Sequence, residues 1–191
     1  MESRPKHPHN ETRMNKMVFL RASYTKRWTI VNTSRTQNIA EHSFNVVNIA
    51  SRLADIFDWE ERFGDSEFLK LQSWALYHDI VEIYTGDMPT PFKRALEESG
   101  ADILAAEEKF MSGYGDMARD AKGTEYGMIV KFADQLEAIW FLKDHGIGNR
   151  AKKVLSGLYD NLYDMVDEYD AQYPDLHVRG AINMIRGEMD I

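Results

Sequence analysis

Apolar residues recur every three or four positions along most of this 191-residue chain, and no segment alternates between apolar and polar residues as a strand would. The pattern is clearest in residues 74–87, which end in a glycine, Gly86, and an aspartate. It predicts a buried helix that begins near Ser66 and stops at Gly86. We therefore expect an all-α fold in which the helices form one bundle.

Composition excludes several classes of protein. Hydrophobic residues make up 43% of the chain, a globular value, and the net charge is −8, from 31 acidic and 23 basic residues. Because the nucleic-acid backbone is neutralised by clustered Lys and Arg, we expect no polymeric nucleic acid as a partner. Cysteine is absent from the sequence, so disulfides and thiolate metal sites are excluded, and any metal must be held by His, Asp or Glu.

The N-terminal residues are polar and lack the apolar core of a signal peptide, and no later run approaches the ~20 apolar residues of a membrane span. These features predict a cytoplasmic protein that makes no contact with a membrane. The length favours a single domain over residues 1–191. We expect residues 1–12 to form a flexible tail.

Capping and breaking residues place the remaining helices. A short amphipathic helix is expected over 15–24, with Met17, Leu20 and Tyr24 on one side. Residues 59–65 are expected to form a charged loop. The other predicted helices are 38–57 capped by Asn38, 92–98, 101–114, 128–143, one capped by Asn149 and broken by Pro174, and 178–189.

Four potential metal ligands fall on segments predicted to be buried helices, and they are His42, His78, Asp79 and Asp134. Burying ionisable side chains is costly unless they are paired or bind a metal. Two imidazoles and two carboxylates suit one divalent cation, such as Zn, Co or Mn, with Mg as a further candidate. Simpler interpretations exist: a buried histidine is often a satisfied core residue, and a salt bridge to Lys131 would account for Asp134.

The order and spacing of several motifs resemble the HD-domain phosphohydrolase superfamily, and most closely the bacterial 5′-deoxynucleotidases of the YfbR-like group. The motifs are Arg27-Trp28, 35–43 (RTQNIAEHS), Tyr77-His78-Asp79, Glu82, 85–91 (TGDMPTP) and Lys131-Phe132-Ala133-Asp134. The resemblance covers about residues 15–145 and implies a helical bundle of the HD type, with its metal-site core at about residues 27–140. It also implies that the four residues named above hold the metal.

The resemblance assigns roles to further residues. Glu82 would act as general base and acid, first on the attacking water and later on the leaving oxygen. Arg27 suits a phosphate because its planar fork binds two oxygens at once, and Trp28 would leave no room for a sugar 2′-hydroxyl. Asp87 would accept a hydrogen bond from the sugar 3′-hydroxyl. The weaker phosphate candidates are Lys93, Lys131, Arg94 and Arg35.

Three functions remain open. The first is hydrolysis of a 2′-deoxynucleoside 5′-monophosphate to the deoxynucleoside and phosphate. The second uses the same site to cut a deoxynucleoside triphosphate at its α-phosphorus, as in the related small viral dATP triphosphohydrolases. The third is a nucleotide-binding module without catalysis, which the retention of all four ligands and Glu82 argues against. The resemblance also implies a homo-oligomer, either a dimer or a higher assembly.

Overall fold

Helices make up the regular structure of residues 16–110, 121 and 123–191, which are the residues that this computed structural model describes. No strand occurs among them, so the expectation of an all-α fold is confirmed. The tail predicted at 1–12 and the end of the helix predicted at 101–114 lie outside the described residues.

Nine α-helices and two 3-10 helices follow one another along the described chain. The 3-10 helices are Lys16–Ser23 and Pro174–Leu176. The α-helices are α1 (Ile39–Ile56), α2 (Trp59–Phe63), α3 (Asp65–Tyr77), α4 (Glu82–Thr85), α5 (Thr90–Glu98), α6 (Ile103–Glu108), α7 (Glu125–His145), α8 (Gly148–Gln172) and α9 (Val178–Glu188). Their apolar faces meet in one large core, to which α1, α7 and α9 contribute most of the buried residues.

The start of α1 confirms the predicted cap. Asn38 is extended, and its side chain accepts a hydrogen bond from the backbone N–H of Glu41 at 2.9 Å, which satisfies one of the free amides at the helix start. Val46 and Leu53 on the inward face are completely buried. Because His42 shares that face, the packing that buries the apolar residues also carries His42 into the interior.

The helix α7 packs against both α1 and α8. Its cap, Thr124, accepts a hydrogen bond from the N–H of Gly127. Residues 128–142 are buried on nearly every side, as is typical of a central helix. Even so, no described helix, α7 included, has the length and apolarity needed to cross a membrane. The polar residues enclosed or half-enclosed in this segment are Asp134, Gln135 and Glu137.

The helix predicted over 66–86 is interrupted, and the prediction of one continuous helix was therefore wrong. The helix α3 ends at Tyr77, and α4 starts at Glu82 after a tight turn. In this turn the N–H of Ile80 bonds to the carbonyl of Tyr77 at 3.0 Å, and the N–H of Glu82 bonds to the carbonyl of Asp79 at 3.0 Å. Such bonds give about three residues per turn instead of about 3.6, so the side chains after Tyr77 leave the face of α3.

Two other segments differ from expectation. The predicted charged loop at 59–65 contains the short helix α2, because Trp59 is 4% exposed and anchors the segment to the core. The first helix is of the 3-10 type. Its predicted apolar side, formed by Met17, Leu20 and Tyr24, faces solvent, with exposed fractions of 64–82%.

Gly146 closes the corner between α7 and α8. Its N–H bonds to the carbonyl of Leu142 at 2.9 Å, and a Cβ at this position would lie 2.6 Å from that carbonyl oxygen and 3.0 Å from the Cβ of Ala151. Only a residue without a side chain fits this approach of the two helices. The helix α8 then begins at Gly148, one residue earlier than the predicted cap at Asn149.

Gly146→Ala should lower the free energy of unfolding by about 1–3 kcal/mol, because the added methyl group overlaps a carbonyl oxygen of α7. The matched control is Gly180→Ala in α9, where a methyl group would meet nothing within 4 Å. It should leave stability unchanged or raise it by up to about 1 kcal/mol. Urea unfolding followed by circular dichroism measures both variants, and equal stability would contradict the close approach.

Candidate metal centre and active site

Four side chains that are far apart in the sequence converge in the bundle. His42 comes from α1, His78 and Asp79 from the turn after α3, and Asp134 from α7. One ligand atom of each lies within 4.8 Å of the others, and the described residues contain no second group of this kind. The structure thus brings together all four residues for which the sequence predicts a metal site, and we call them the metal cluster.

The spacing of the four ligand atoms matches a coordination shell. His42 Nε2 lies 3.3 Å from His78 Nε2 and 3.2 Å from Asp134 Oδ1. Asp79 Oδ2 lies 3.4 Å from Nε2 of each histidine, and His78 Nε2 lies 3.9 Å from Asp134 Oδ1. Metal bonds of about 2.0–2.1 Å place tetrahedral ligands roughly 3.3–3.4 Å apart. The residues present therefore fit one cation.

Both imidazole rings are held so that the same nitrogen faces the metal cluster. His78 Nδ1 bonds to the carbonyl oxygen of Ala75 at 2.8 Å, and because a carbonyl only accepts, Nδ1 carries the proton. His42 Nδ1 lies 2.7 Å from Oε2 of Glu137, a buried carboxylate that also accepts. In both rings Nε2 is left for a cation, which is how metal-binding histidines are commonly oriented.

The charges in the metal cluster influence one another strongly. Burial and a neighbouring guanidinium lower the pKa of His42, but hydrogen bonds to three carboxylates outweigh them and raise it to about 10. These carboxylates belong to Asp134, Asp79 and Glu137. Burial raises the pKa of Asp79, yet its interactions with His78 and His42 bring it well below the usual range. Without a cation, a proton therefore occupies His42 at pH 7.

Arg27 lies beside the two aspartates of the metal cluster. Its Nη1 donates to Asp79 Oδ2 at 2.7 Å, and its Nη2 lies 3.9 Å from Asp134 Oδ1. Burial lowers the pKa of Arg27, but the surrounding carboxylates raise it above its ordinary value, so the group stays charged. Its Nε is buried and makes no hydrogen bond within the described part of the chain. Arg27 thus holds a fixed positive charge next to the cluster.

Glu82 and Lys93 form a pair at the start of α4 and in α5. Glu82 is 3% exposed, and its Oε1 lies 3.4 Å from Nζ of Lys93. Its Oε2 is buried and has no hydrogen-bond partner among the described residues. Burial and the charge of Asp79 raise the pKa of Glu82 to about 9. A carboxyl group that is neutral near pH 7 has a proton to give, which suits a general acid.

A cavity of about 610 Å³ opens at the metal cluster. Its wall contains Asp134 and Arg27, together with Trp28 and Asp87. The volume is within the range of about 300–1,000 Å³ found for small-molecule sites. Much of the remaining wall is apolar and includes Ile30, Val31, Met88, Pro89, Val154 and Leu158. The cavity therefore suits a ligand with a flat apolar part and an anionic end.

Trp28 and Asp87 are bonded to each other in the cavity wall. The backbone N–H of Trp28 donates to Asp87 Oδ2 at 3.0 Å, and no described residue donates to the other oxygen of Asp87. Trp28 has a φ of 62°, a left-handed conformation that is uncommon for residues other than glycine. Its ring stacks on Phe141 with 6.0 Å between centroids, and its Nε1 donates to Gln37 Oε1 at 2.9 Å. The position of the indole is thereby fixed from several sides.

Arg35, a weaker phosphate candidate, pairs with Glu41 at 2.6 Å and does not line the cavity, and Lys131 is likewise not brought to the metal cluster. Its side chain is exposed and does not line the cavity. Its Nζ donates to the hydroxyl of Tyr169 in α8 at 3.1 Å and lies 5.7 Å from the centre of that ring, a favourable position for a cation. The alternative salt bridge with Asp134 is not formed either, since Asp134 contacts His42.

Three buried or half-buried polar residues behind His42 were not predicted, namely Gln37, Asn45 and Glu137. Glu137 is completely buried and accepts hydrogen bonds from Gln37 Nε2 at 2.6 Å and from Asn45 Nδ2 at 3.0 Å. The sequence does contain a signal for Glu137, which stands in the same apolar run as Asp134. A carboxylate buried there needs partners, because desolvation without hydrogen bonds is costly.

Similar proteins are known. Residues 16–150 match the family model described as 5′-deoxynucleotidase YfbR-like. A dATP triphosphohydrolase from Salmonella phage PMBT28 is 35% identical over 164 residues, which cover 82% of this chain and 80% of that protein. The 5′-deoxynucleotidase YfbR of Salmonella arizonae is 32% identical over 151 residues, which cover 70% of this chain and 74% of that protein.

A solved structure is also similar. The HD phosphohydrolase DatZ of cyanophage S-2L, bound to dA and one catalytic Zn²⁺ ion, matches with a TM-score of 0.76 at 28% sequence identity. The match covers 93% of this chain and 97% of DatZ. The family model spans well over half of the chain, which is enough to assign the chain to that family. This chain belongs to the YfbR-like 5′-deoxynucleotidase family of HD-domain phosphohydrolases.

Proposed function

We propose that this chain is a divalent-metal-dependent phosphohydrolase that acts on 2′-deoxynucleoside 5′-phosphates. The main observation behind the proposal is the convergence of two histidine Nε2 atoms and two aspartate oxygens at a cavity of about 610 Å³. The two nitrogens lie 3.3 Å apart, and each lies 3.2–3.9 Å from an oxygen of each aspartate. The names of its relatives support the substrate class, since they are dATP triphosphohydrolases and 5′-deoxynucleotidases.

The residues that would hold the cation are His42, His78, Asp79 and Asp134. Zinc is the first candidate, because the similar enzyme DatZ contains a catalytic Zn²⁺ ion and because histidine nitrogens and carboxylate oxygens are zinc ligands. Cobalt and manganese accept the same donor atoms. When bound, the cation would supply Lewis-acid stabilisation of the negative charge on the phosphoryl group.

The phosphate end of the substrate would be handled by three side chains. Arg27 binds the phosphoryl oxygens and neutralises charge that develops on them, because its guanidinium is already fixed beside Asp79 in the cavity wall. Glu82, which is neutral near pH 7, first gives its proton to the leaving oxygen, and the carboxylate so formed then takes a proton from the attacking water. Lys93, 3.4 Å from Glu82, adds a second positive charge at this end.

The sugar would be selected by Trp28 and Asp87. The indole of Trp28 packs against the sugar at C2′ and leaves no room for a 2′-hydroxyl. The fixed position of the indole in the cavity wall supports this role. Asp87 accepts a hydrogen bond from the 3′-hydroxyl with the oxygen that Trp28 does not use. Deoxyribose then satisfies both residues, whereas ribose collides with the indole.

Two candidate substrates, a deoxynucleoside monophosphate and a deoxynucleoside triphosphate, differ in their number of phosphates. The family description supports the monophosphate, and two phage dATP triphosphohydrolases that are 35% and 38% identical support the triphosphate. Arg94 also lines the cavity and has no ion-pair partner in the described residues, so it offers charge for further phosphates. We place the triphosphate first and the monophosphate, which the sequence alone favours, second.

Incubation of the zinc- or cobalt-loaded protein with dATP and with dAMP separates these candidates. We expect dATP to yield deoxyadenosine and inorganic triphosphate, because water bonds to the α-phosphorus while the bond from that phosphorus to the 5′-oxygen breaks, so all three phosphates leave together. Phosphorus NMR identifies the anion, and release of phosphate from dAMP alone would support the monophosphate candidate. Asp134→Asn, which removes one carboxylate from the metal cluster, is the control and should release neither anion. No hydrolysis of either nucleotide by the loaded wild type would contradict the proposed function.

Glu82→Gln should lower kcat by about 10²–10⁴-fold, because the amide cannot transfer the proton that the buried carboxyl group holds. Affinity for the cation should stay within a few-fold, since Glu82 is not among the cluster ligands. The matched control is Glu97→Gln, an exposed change in α5 that should leave the rate unaltered. A Glu82→Gln variant with the wild-type rate would remove Glu82 from the mechanism.

Binding of the cation should release about one proton per chain at pH 7. Without a cation the pKa of His42 is about 10, so the ring is protonated, whereas a cation needs a neutral Nε2. Affinity should accordingly rise with pH up to about pH 10 and fall as the solution is acidified. Calorimetric titration with Zn²⁺ in two buffers of different protonation enthalpy measures the release, and identical heats in both buffers would contradict it.

We also propose that the chain acts in the cytoplasm as a homo-oligomer, a dimer or a larger assembly, as the resemblance implies. Exposed apolar side chains support an interface, because such patches often mark interaction sites. They are Met17 and Leu20 on the first 3-10 helix, Tyr24 directly after it and Phe44 on α1, each at least 64% exposed. Tyr169 of α8 is not available for such an interface, because its side chain is buried in the core.

A further inference from the structure

Glu137 is a completely buried carboxylate in α7 that neither holds the cation nor touches the cavity. It lies one turn beyond Asp134 and accepts three hydrogen bonds, from His42 Nδ1 at 2.7 Å, Gln37 Nε2 at 2.6 Å and Asn45 Nδ2 at 3.0 Å. All three partners come from other parts of the chain. Burying a carboxylate costs free energy that these hydrogen bonds must offset, and the residues that donate them indicate the role of Glu137.

One connection leads to the metal cluster. The carboxylate of Glu137 accepts the proton on Nδ1 of His42 and so leaves Nε2 unprotonated once a cation replaces the proton there. It also holds the ring in the plane that directs Nε2 at His78 and Asp134, 3.3 and 3.2 Å away. A negatively charged acceptor makes the imidazole a stronger ligand than a neutral acceptor would.

The other connection leads to the sugar-facing wall. Gln37 is completely buried and lies between Glu137 and the indole of Trp28, with hydrogen bonds of 2.6 and 2.9 Å. A carboxylate only accepts and an indole N–H only donates, so the amide of Gln37 has a single orientation that satisfies both. The indole, whose residue has the unusual φ of 62°, is thereby tied to the same carboxylate as His42.

We propose that Glu137 is the positioning residue of this site and that Gln37 extends its control to Trp28, so one buried carboxylate orients both a metal ligand and the sugar-selecting indole. The inference rests on the proposed function, because it uses the roles assigned to His42 and Trp28. A purely structural Glu137 would affect stability alone. A positioning Glu137 also changes cation affinity and sugar selectivity in protein that remains folded.

Glu137→Gln should bind Co²⁺ about 10- to 100-fold more weakly than wild type, because the neutral amide weakens the His42 ligand and meets two amide donors with its own NH₂. Calorimetry gives the affinity, the visible Co²⁺ spectrum reports the ligand geometry, and circular dichroism confirms the fold. The matched control is Glu125→Gln at the start of α7, which loses only its contact with Arg62 and should bind Co²⁺ like wild type. A folded Glu137→Gln variant with wild-type affinity would overturn the positioning role.

Gln37→Met should separate the effect of Glu137 on His42 from its effect on Trp28. It keeps the carboxylate–His42 bond, so Co²⁺ affinity should stay within about threefold of wild type, but it removes the anchor of the indole. The ratio of kcat/KM for deoxyribo- over ribonucleotides should fall by at least about tenfold. An unchanged ratio in the folded variant would overturn the extension to Trp28. Failure of the wild type itself to bind Co²⁺ or hydrolyse nucleotides would instead contradict the proposed function.

The wild-type protein provides a test that does not depend on the folding of any variant. In zinc-loaded protein with ¹⁵N-labelled histidine, NMR should show His42 bound to the metal through Nε2 and protonated on Nδ1, with that proton shifted downfield by its bond to a carboxylate. Coordination of His42 through Nδ1, or a rapidly exchanging Nδ1 proton, would overturn the role of Glu137.

Discussion

The structure depends on compensating the charges of three carboxylates that surround His42, those of Asp79, Asp134 and Glu137. Arg27 supplies a positive charge beside two of them, and in the absence of a cation the proton on His42 supplies another. A divalent cation that displaces the His42 proton brings two positive charges where the proton brought one. The electrostatics of the bundle therefore favour a cation at this site, in addition to its donor atoms.

The same arrangement explains how an acidic protein can bind an anionic substrate. The net charge of the chain is −8, yet the positive charges of Arg27, Lys93 and Arg94 lie at or near one cavity. Field lines from a few charges in a partly enclosed site are less screened than those from an exposed surface. A local positive region thus coexists with an acidic exterior, and the apolar wall of the cavity receives the rest of the nucleotide.

Much of this site was predictable from the sequence, because buried ionisable residues on helical faces are rare and need a physical reason. His42 and Asp134 were recognisable on that ground, and the cap at Asn38 was recognisable from its side chain. The break after Tyr77 was not, because a tight turn and an α-helix share the same apolar spacing over a few residues. The prediction that Lys131 contacts the phosphate was not reproduced. A helical position shows which face a residue occupies, but it does not show that the ammonium group lies over the ring of Tyr169.

Four side chains from three parts of the bundle are proposed to hold one cation. Anomalous X-ray diffraction at the zinc edge, from crystals of the zinc-loaded protein, tests this arrangement most directly. We expect a single peak about 2.0–2.2 Å from Nε2 of both histidines and from a carboxylate oxygen of both aspartates. A zinc peak elsewhere, or none while Arg27 remains bonded to Asp79 and His42 to Asp134, would contradict it.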